Sequence, residues 1–182
     1  LLCKNYAGYQ NLAQLVTISH VDGFYYKPRI DLETLAKYKD DLICISPGMR
    51  GPVAFRIQGN HMDEAKAQAK AFQEVFGENF YLGVQRLGMP FEDAINETTK
   101  AYSEELGIQV VATGDAYYLR PDDAVLRSIL NCIQMGRVLD GDQKSQLEDQ
   151  AQYLMPAQEM AARFKDWPEA IANSARIADA CK

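Results

Sequence analysis

The sequence places few chemistry-bearing side chains at positions where a folded domain would use them. Asp115 follows an apolar run at 109–113 that is typical of a buried strand. A carboxylate after such a strand is able to hold a divalent cation, but it is at least as often a turn or helix cap. The neighbouring Tyr117 is not a ligand for hard metal ions, so Asp115 alone is the candidate ligand here.

The two histidines do not indicate a catalytic site. His20 and His61 lie in predicted helical segments, and neither has a second histidine four residues later. A hydrolytic metal site needs several converging ligands, and a Ser-His-Asp triad needs a histidine beside its nucleophile. The four cysteines are far apart and form no Cys-x-x-Cys pair, which favours reduced thiols in a cytoplasmic protein.

The segment 47–52, Pro-Gly-Met-Arg-Gly-Pro, is a possible phosphate-binding loop. Such loops work through successive backbone N–H groups, and two prolines remove two of these donors. No Lys-Ser or Lys-Thr pair follows, so the segment is not a P-loop. We interpret it as a tight connection that exposes Arg50.

Alternating apolar segments predict the elements that must position these residues. Strands are expected near 1–4, 42–46, 80–85 and 109–113, and helices at 8–21, 31–38, 61–76 (with Asn60 as its cap) and 91–106. Strands that alternate with helices predict four parallel strands in an α/β fold. The functional positions are then the strand ends at 46–49, 85–88 and 114–117.

The last third of the chain changes character. We predict a helix from Pro121 to Gly136, a polar loop at 137–152, and two further helices at 156–164 and 168–181. Trp167, the only tryptophan, is expected to anchor the junction of the last two helices to the core.

Composition limits the class of protein. The 182 residues are 47% hydrophobic and 24% charged, as in ordinary globular domains, and no apolar run reaches the length of a membrane span. The net charge is −6, with +2 on residues 1–60 and −8 on residues 61–182. Without a basic stripe, we expect the chain by itself to bind DNA weakly and without sequence preference.

Several stretches taken together resemble one family. These are Leu1 to Asn5 with "GYQNL" at 8–12, "FYYKPRID" at 24–31, "VVATGDAYYL" at 110–119, "CIQMG" at 132–136, and "PEAIANS" from 168 followed by Ile177, Ala178 and Cys181. They are similar, in order, to the polymerase-and-histidinol-phosphatase (PHP) domain that opens the alpha subunit of bacterial DNA polymerase III, and to the stretch that leads into the polymerase palm.

The resemblance implies the later part of a distorted seven-stranded βα barrel at 1–120, followed by a helical extension at 121–182. The chain begins without Met, so we expect it to be a piece of a longer protein. The resemblance also implies a metal cluster at the strand ends, and this sequence departs from that cluster at several positions. Gly48 stands where many members have Cys, Gly83 where Glu is expected, and Gly114 and Tyr117 replace Asn and His of an Asn-Asp-x-His motif. Arg127 replaces a further His, so Asp115 is the one expected ligand that remains in this portion of the domain, and we predict a degenerate site.

The leading hypothesis is therefore a structural and subunit-interaction module of a replicative polymerase. Its expected partners are the rest of the alpha subunit and a proofreading exonuclease subunit, with DNA reached through the parent chain and no membrane. The fragment is expected to hold no cofactor and to be inactive, while the parent polymerase would use Mg²⁺ in its palm. The alternative is a metal-dependent phosphoesterase or 3′–5′ exonuclease.

Overall fold

The computed structural model describes residues 1–138 and 151–182. These residues form a mixed α/β structure around one four-stranded sheet of order β1-β2-β3-β4. The strands are β1 (Leu2–Cys3), β2 (Leu42–Ser46), β3 (Phe80–Val84) and β4 (Gln109–Ala112). The helices are α1 (Tyr6–Val21), α2 (Leu32–Lys37), α3 (Pro52–Gln58), α4 (Met62–Phe76), α5 (Glu92–Leu106), α6 (Ala124–Met135), α7 (Ala157–Arg163) and α8 (Pro168–Ala180).

The pairing of β2, β3 and β4 is parallel, as the alternation of strands and helices predicts. Cys44 lies opposite Phe80, and Leu82 lies opposite Val110. The connections run through α3 and α4 between β2 and β3, and through α5 between β3 and β4. Helical crossovers of this length are what parallel strands require.

The expectation of four parallel strands is wrong for β1. This two-residue strand pairs antiparallel with β2, with Leu2 opposite Ile43 and Cys3 opposite Leu42. Its short apolar sequence predicted a strand but carried no information on direction. The long connection from β1 to β2, which holds α1, α2 and an extended loop, is compatible with either direction.

Two helix predictions also need correction. A helix that was not predicted follows the tight turn at 47–52. Pro52 occupies the first position of this helix, α3, after Gly51 as its N-cap. The helix expected to be capped by Asn60 begins at Met62 with His61 as its N-cap, and no side chain caps it. Asn60 instead has a left-handed φ of 60°.

Residues on alternate sides of the strands pack into two apolar clusters. The larger cluster joins Leu42, Leu82 and Val110 to the helices α1 to α5, and Phe164 and Ala170 extend it. The smaller cluster joins Ile43, Tyr81 and Val111 to Ile177 of α8. The period of two along each strand therefore places side chains on both faces of a covered sheet, as expected for parallel strands.

The carboxyl-terminal helix is tied to the sheet edge by a buried amide. Asn173 of α8 is fully buried, and its Nδ2 donates to the carbonyl oxygen of Val110 at 2.7 Å. At the preceding junction Phe164 is buried at 1% exposure, whereas Trp167 is half-buried against the same cluster. Phe164 and Trp167 therefore share the anchoring role that the sequence assigned to Trp167.

Candidate functional site

The loop after β2 is held closely against the sheet. Gly51 N–H donates to the carbonyl oxygen of Pro47 at 3.2 Å, and Gln58 Nε2 of α3 donates to the carbonyl oxygen of Met49 at 2.7 Å. The turn leaves Arg50 exposed, as the sequence predicts. This loop forms one part of the carboxyl edge of the sheet, which we define as the loops 47–51, 85–91 and 113–120.

The two glycines at expected ligand positions lie against each other. An ideal Cβ atom on Gly48 would be 3.1 Å from the carbonyl oxygen of Gly83. A Cβ atom on Gly83 would be 2.6 Å from the carbonyl oxygen of Ser46, closer than Cβ atoms approach other atoms. The backbones of β2 and β3 thus occupy the space that a glutamate at position 83 would need.

The loop after β3 is organised by a buried carboxylate. Glu92, the first residue of α5, accepts the Leu87 N–H with both oxygens at 2.8 Å and the Gly88 N–H at 2.9 Å. Asn96, one turn later, donates to the carbonyl oxygen of Gln85 at 2.7 Å. The sequence pattern did not indicate either residue, because an acidic first turn is typical of solvent-exposed helix starts.

The side chain of Gln85 is buried at this edge. Its exposure is 4%, and its Oε1 has no hydrogen-bond partner among the described residues. The side chain lies beside Gly48, whose ideal Cβ would be 3.2 Å from Gln85 Cγ. An amide oxygen is a weak ligand without accompanying carboxylates, so it does not make a metal site with the glycines around it.

Asp115 is held by a segment from farther along the chain. It has a left-handed φ of 43°, and its Oδ2 lies 3.4 Å from Gln152 Nε2, which donates to it. The backbone of the same segment is paired with the loop after β4: Tyr117 N–H donates to Gln152 at 2.8 Å, and Leu154 N–H donates to Tyr118 at 2.8 Å. Burial raises the pKa of the Tyr118 phenol.

Tyr117 and Arg127, both at expected histidine positions, contact each other. The guanidinium carbon of Arg127 lies 4.2 Å from the centroid of the Tyr117 ring. Arg50 Nη1 lies 3.4 Å from Tyr117 Oη and donates to it. The structure thus brings together one residue from each of three elements, which we call the arginine–tyrosine cluster (Arg50, Tyr117 and Arg127).

The residues at the carboxyl edge do not fit a bound metal ion. The described residues contain no group of three or more His, Cys, Asp or Glu side chains placed to hold one. Asp115 instead accepts from an amide, and the arginine–tyrosine cluster brings cationic groups to this edge. Zinc and magnesium sites require several anionic or neutral donors, so we derive no metal-dependent step from this arrangement. The loss of an ancestral site remains a prediction.

Comparison with known proteins gives a family match for the first part of the chain. Residues 1–87 match the PHP domain family model. The remainder of the chain, with its helices α6 to α8, lies beyond the matched residues.

The similarity to curated proteins covers both parts of the chain. The chain is 40% identical over 181 residues to the DNA polymerase III subunit alpha of Borreliella burgdorferi, and the alignment covers 100% of this chain and 16% of that protein. The DNA polymerase III subunit alpha of Helicobacter pylori is 34% identical over 191 residues, and the alignment covers 100% of this chain and 16% of that protein. That of Thermus aquaticus is 32% identical over 184 residues, covering 100% of this chain and 15% of the relative.

The resemblance to the PHP region of polymerase III alpha subunits is thus confirmed. The chain spans about one sixth of the length of the relatives it matches. No helix among the described residues has the length and apolar character needed to cross a bilayer.

Proposed function

We propose that this chain serves as a structural and interaction module within a DNA polymerase III alpha subunit. Its similarity to alpha subunits over its whole length supports the polymerase context. The observation that carries an interaction role is an apolar face of α6 that is exposed among the described residues.

The helix α6 has one buried side and one exposed apolar side. Its inner side buries Ala124, Ser128 and Cys132, at a spacing of four residues. Its outer side exposes four large side chains, with Ile133 at 72% and Leu130 at 60% exposure. The four exposed residues are Leu126, Ile129, Leu130 and Ile133.

An exposed apolar side on a helix is usually covered in the complete protein. Arg127 is the only charged residue within Ala124–Met135, so exposing the apolar side of this helix to water is unfavourable. Since more than four fifths of each matched relative lies outside the aligned part, we propose that another part of the same alpha subunit covers the outer face.

Other parts of the parent chain would carry out polymerisation with Mg²⁺, and residues 1–182 would brace the polymerase structurally. The division into a PHP part at 1–120 and a helical extension at 121–182, and the closure of the sheet into a seven-stranded barrel, belong to this proposal. A proofreading exonuclease subunit is a further expected partner. DNA would be bound by the parent chain, since this part carries a net charge of −6.

A double substitution tests the interaction role. Leu130→Glu with Ile133→Glu should leave the free energy of unfolding of residues 1–182 within about 0.5 kcal/mol of the unmodified chain, because both sites are exposed. In a full-length alpha subunit, the same change should remove hydrogen-exchange protection from α6, since charges would enter an apolar contact.

The control is Gln134→Glu, an exposed polar position on the same helix, which should change neither protein. Equal exchange of α6 in the short and full-length chains would contradict the proposal. The alternative, metal-dependent hydrolysis, is tested separately by elemental analysis and by a phosphodiester assay with Mn²⁺ or Zn²⁺. Stoichiometric metal, or hydrolysis abolished by Asp115→Asn, would support the alternative.

A further inference from the structure

The connection between α1 and α2 exposes a row of aromatic side chains. Phe24, Tyr25 and Tyr26 are consecutive in the sequence, and 59%, 63% and 82% of their surfaces are exposed. Lys27 and Arg29 follow them and are exposed as well. We call residues 24–29 the aromatic loop, which is not part of the carboxyl edge defined above. Large aromatic side chains are mostly buried in folded proteins, so three consecutive exposed rings indicate a binding surface.

The backbone of the aromatic loop has a defined conformation. The Tyr25 N–H donates to the carbonyl oxygen of Lys27 at 3.2 Å, and Tyr26 lies between these two residues. At the base of the loop, an ideal Cβ atom on Gly23 would be only 2.1 Å from the carbonyl oxygen of Arg29, so position 23 requires glycine. Tyr26 has a left-handed φ of 59°, which bulky residues rarely adopt. Residues held in such conformations concentrate at functional sites, which directs attention to Tyr26.

The cations of the aromatic loop lie beside its rings. The guanidinium carbon of Arg29 is 5.2 Å from the centroid of the Tyr25 ring. Tyr25 in turn meets Tyr26 edge to face, with the two ring centroids 4.6 Å apart. The loop therefore presents rings and positive charge together on one short segment.

The acidic residues that flank the aromatic loop do not neutralise its cations. None of the ion pairs between described side chains includes Lys27 or Arg29. Asp22 precedes the loop as the C-cap of α1, and Asp31 follows it as the N-cap of α2. The Asp31 carboxylate accepts the backbone N–H of Thr34 at 2.7 Å. The positive charge of the loop is thus available to an anionic partner.

The chemistry of the aromatic loop differs from that of the exposed face of α6. The α6 face consists of leucine and isoleucine side chains, which suit an apolar protein surface. An apolar cover over the aromatic loop would also bury Lys27 and Arg29, and buried charges without partners are costly. A single-stranded nucleic acid satisfies both kinds of group, because its bases stack on aromatic rings and its phosphates neutralise cations. The bases of a duplex are already stacked on one another, so a duplex does not offer them to a protein ring.

We propose that the aromatic loop binds single-stranded nucleic acid, with a base stacked on Tyr26 and the strand's backbone contacted by Lys27 and Arg29. Stacking accepts any base, so this binding is independent of sequence. The net charge of −6 on the whole chain opposes a polyanion, so we expect a dissociation constant of about 10–100 μM at about 0.1 M salt. The site is separate from the α6 face and does not rest on the interaction role proposed above.

The test is a titration of a fluorescein-labelled oligothymidylate of about 15 nucleotides with residues 1–182, followed by fluorescence anisotropy. Tyr26→Ala should weaken binding about tenfold, because the ring that stacks on a base is lost. Tyr26→Phe should bind like the unmodified chain, since it keeps the ring. Tyr26→Leu should bind like the alanine variant, because leucine is apolar but has no ring, and this separates stacking from general apolar contact.

The salt dependence of binding tests the cations. Lys27→Gln and Arg29→Gln together should reduce the slope of log affinity against log salt concentration by about 1.4, because each lost phosphate contact on a single strand removes about 0.7. Lys70→Gln, which removes an exposed lysine of α4, is the control and should leave the slope unchanged.

The matched control for the ring is Tyr6→Ala. Tyr6 is 73% exposed and stacks on Tyr9 at the opposite end of α1, with ring centroids 6.0 Å apart. This variant should bind the oligonucleotide like the unmodified chain, and unchanged circular dichroism would show that all variants fold.

A duplex of the same length should bind at least about tenfold more weakly than the single strand, because its bases are not free to stack on Tyr26. Equal binding of duplex and single strand, unchanged binding by Tyr26→Ala, or no binding by the unmodified chain at about 100 μM would overturn the proposal. Hydrogen-exchange protection of the aromatic loop in a full-length alpha subunit without nucleic acid would identify a protein contact instead, and would also overturn it.

Discussion

Both carboxylate oxygens of Glu92 accept the backbone N–H of Leu87, each at 2.8 Å. One of them also accepts the N–H of Gly88 at 2.9 Å, and the exposure of Glu92 is only 6%. Buried carboxylates are costly unless they are hydrogen-bonded, and these N–H groups supply the partners. The side chain therefore connects the start of α5 to the end of β3 and fixes the shape of the loop between them.

Glu92→Gln should destabilise the chain by about 1–3 kcal/mol, because an amide NH₂ would face backbone donors that a carboxylate accepts. Chemical denaturation measured by circular dichroism gives the free energy of unfolding. Glu97→Gln, an exposed position on the same helix, is the matched control and should have little effect. Equal stability of the two variants would show that Glu92 does not organise the loop.

Gly83→Ala should destabilise the chain by about 1–3 kcal/mol through overpacking between β2 and β3. The new Cβ atom would lie 2.6 Å from the carbonyl oxygen of Ser46 and 3.3 Å from Ile45 Cγ2, so one backbone must shift. Gly114→Ala is the control, because nothing lies within 4 Å of its ideal Cβ. Thermal melting of the two variants measures the difference, and a melting temperature for Gly83→Ala equal to that of the control would disprove the close packing.

The sequence predicted the central part of the fold because its signals are local. The apolar runs of β2, β3 and β4 and the helices between them determine a parallel arrangement with little ambiguity. The helix α3 was missed because the glycines and prolines at 47–52 are turn signals, and Pro52 also suits a first helical position. The direction of β1 depends on tertiary pairing, which a two-residue strand does not encode.

The candidate site was predicted only in part for the same reason. The sequence identified Gly48, Gly83, Tyr117 and Arg127 one at a time, as departures from a family pattern. It did not indicate that Gly48 lies against Gly83, or that Arg127 stacks on Tyr117. Such contacts join residues that are far apart in the sequence, so only the folded arrangement reveals them.

The Asp166 carboxylate should show an abnormally low pKa that depends on Arg86. The hydrogen-bonded Arg86 guanidinium lowers the pKa of Asp166 to about 2. Because the folded value lies below the unfolded value near 3.9, the ion pair favours the folded state above pH 4, and this contribution is lost as the pH falls toward 2. Asp166 is 68% exposed at its side chain, so solvent screens the effect on stability.

An NMR titration of the Asp166 carboxyl group measures this pKa directly. Arg86→Gln should raise the pKa toward its ordinary value, since the Arg86–Asp166 ion pair is removed. Lys70→Gln, which removes a positive charge that is not ion-paired to Asp166, serves as the control and should leave the titration unchanged. If Arg86→Gln has no effect on the titration, the ion pair does not form in solution.

The Cys44 thiol should be protected from alkylation in the folded chain. Burial within β2 raises the pKa of Cys44 to about 11, and the thiolate is the reactive form. At pH 8 iodoacetamide should therefore modify the half-buried Cys3 and Cys181 well before Cys44, and denaturant should remove the difference.

Since an unfolded Cys44 ionises near pH 8.5 and the folded one near 11, the same burial should make stability fall as the pH rises between these values. Mass spectrometry after timed labelling measures the order of modification. Cys44→Ala should abolish the part of the alkaline loss of stability that Cys44 causes, and Cys181→Ala is the control. Modification of Cys44 at the rate of Cys3 would mean that β2 opens far more readily than its burial indicates.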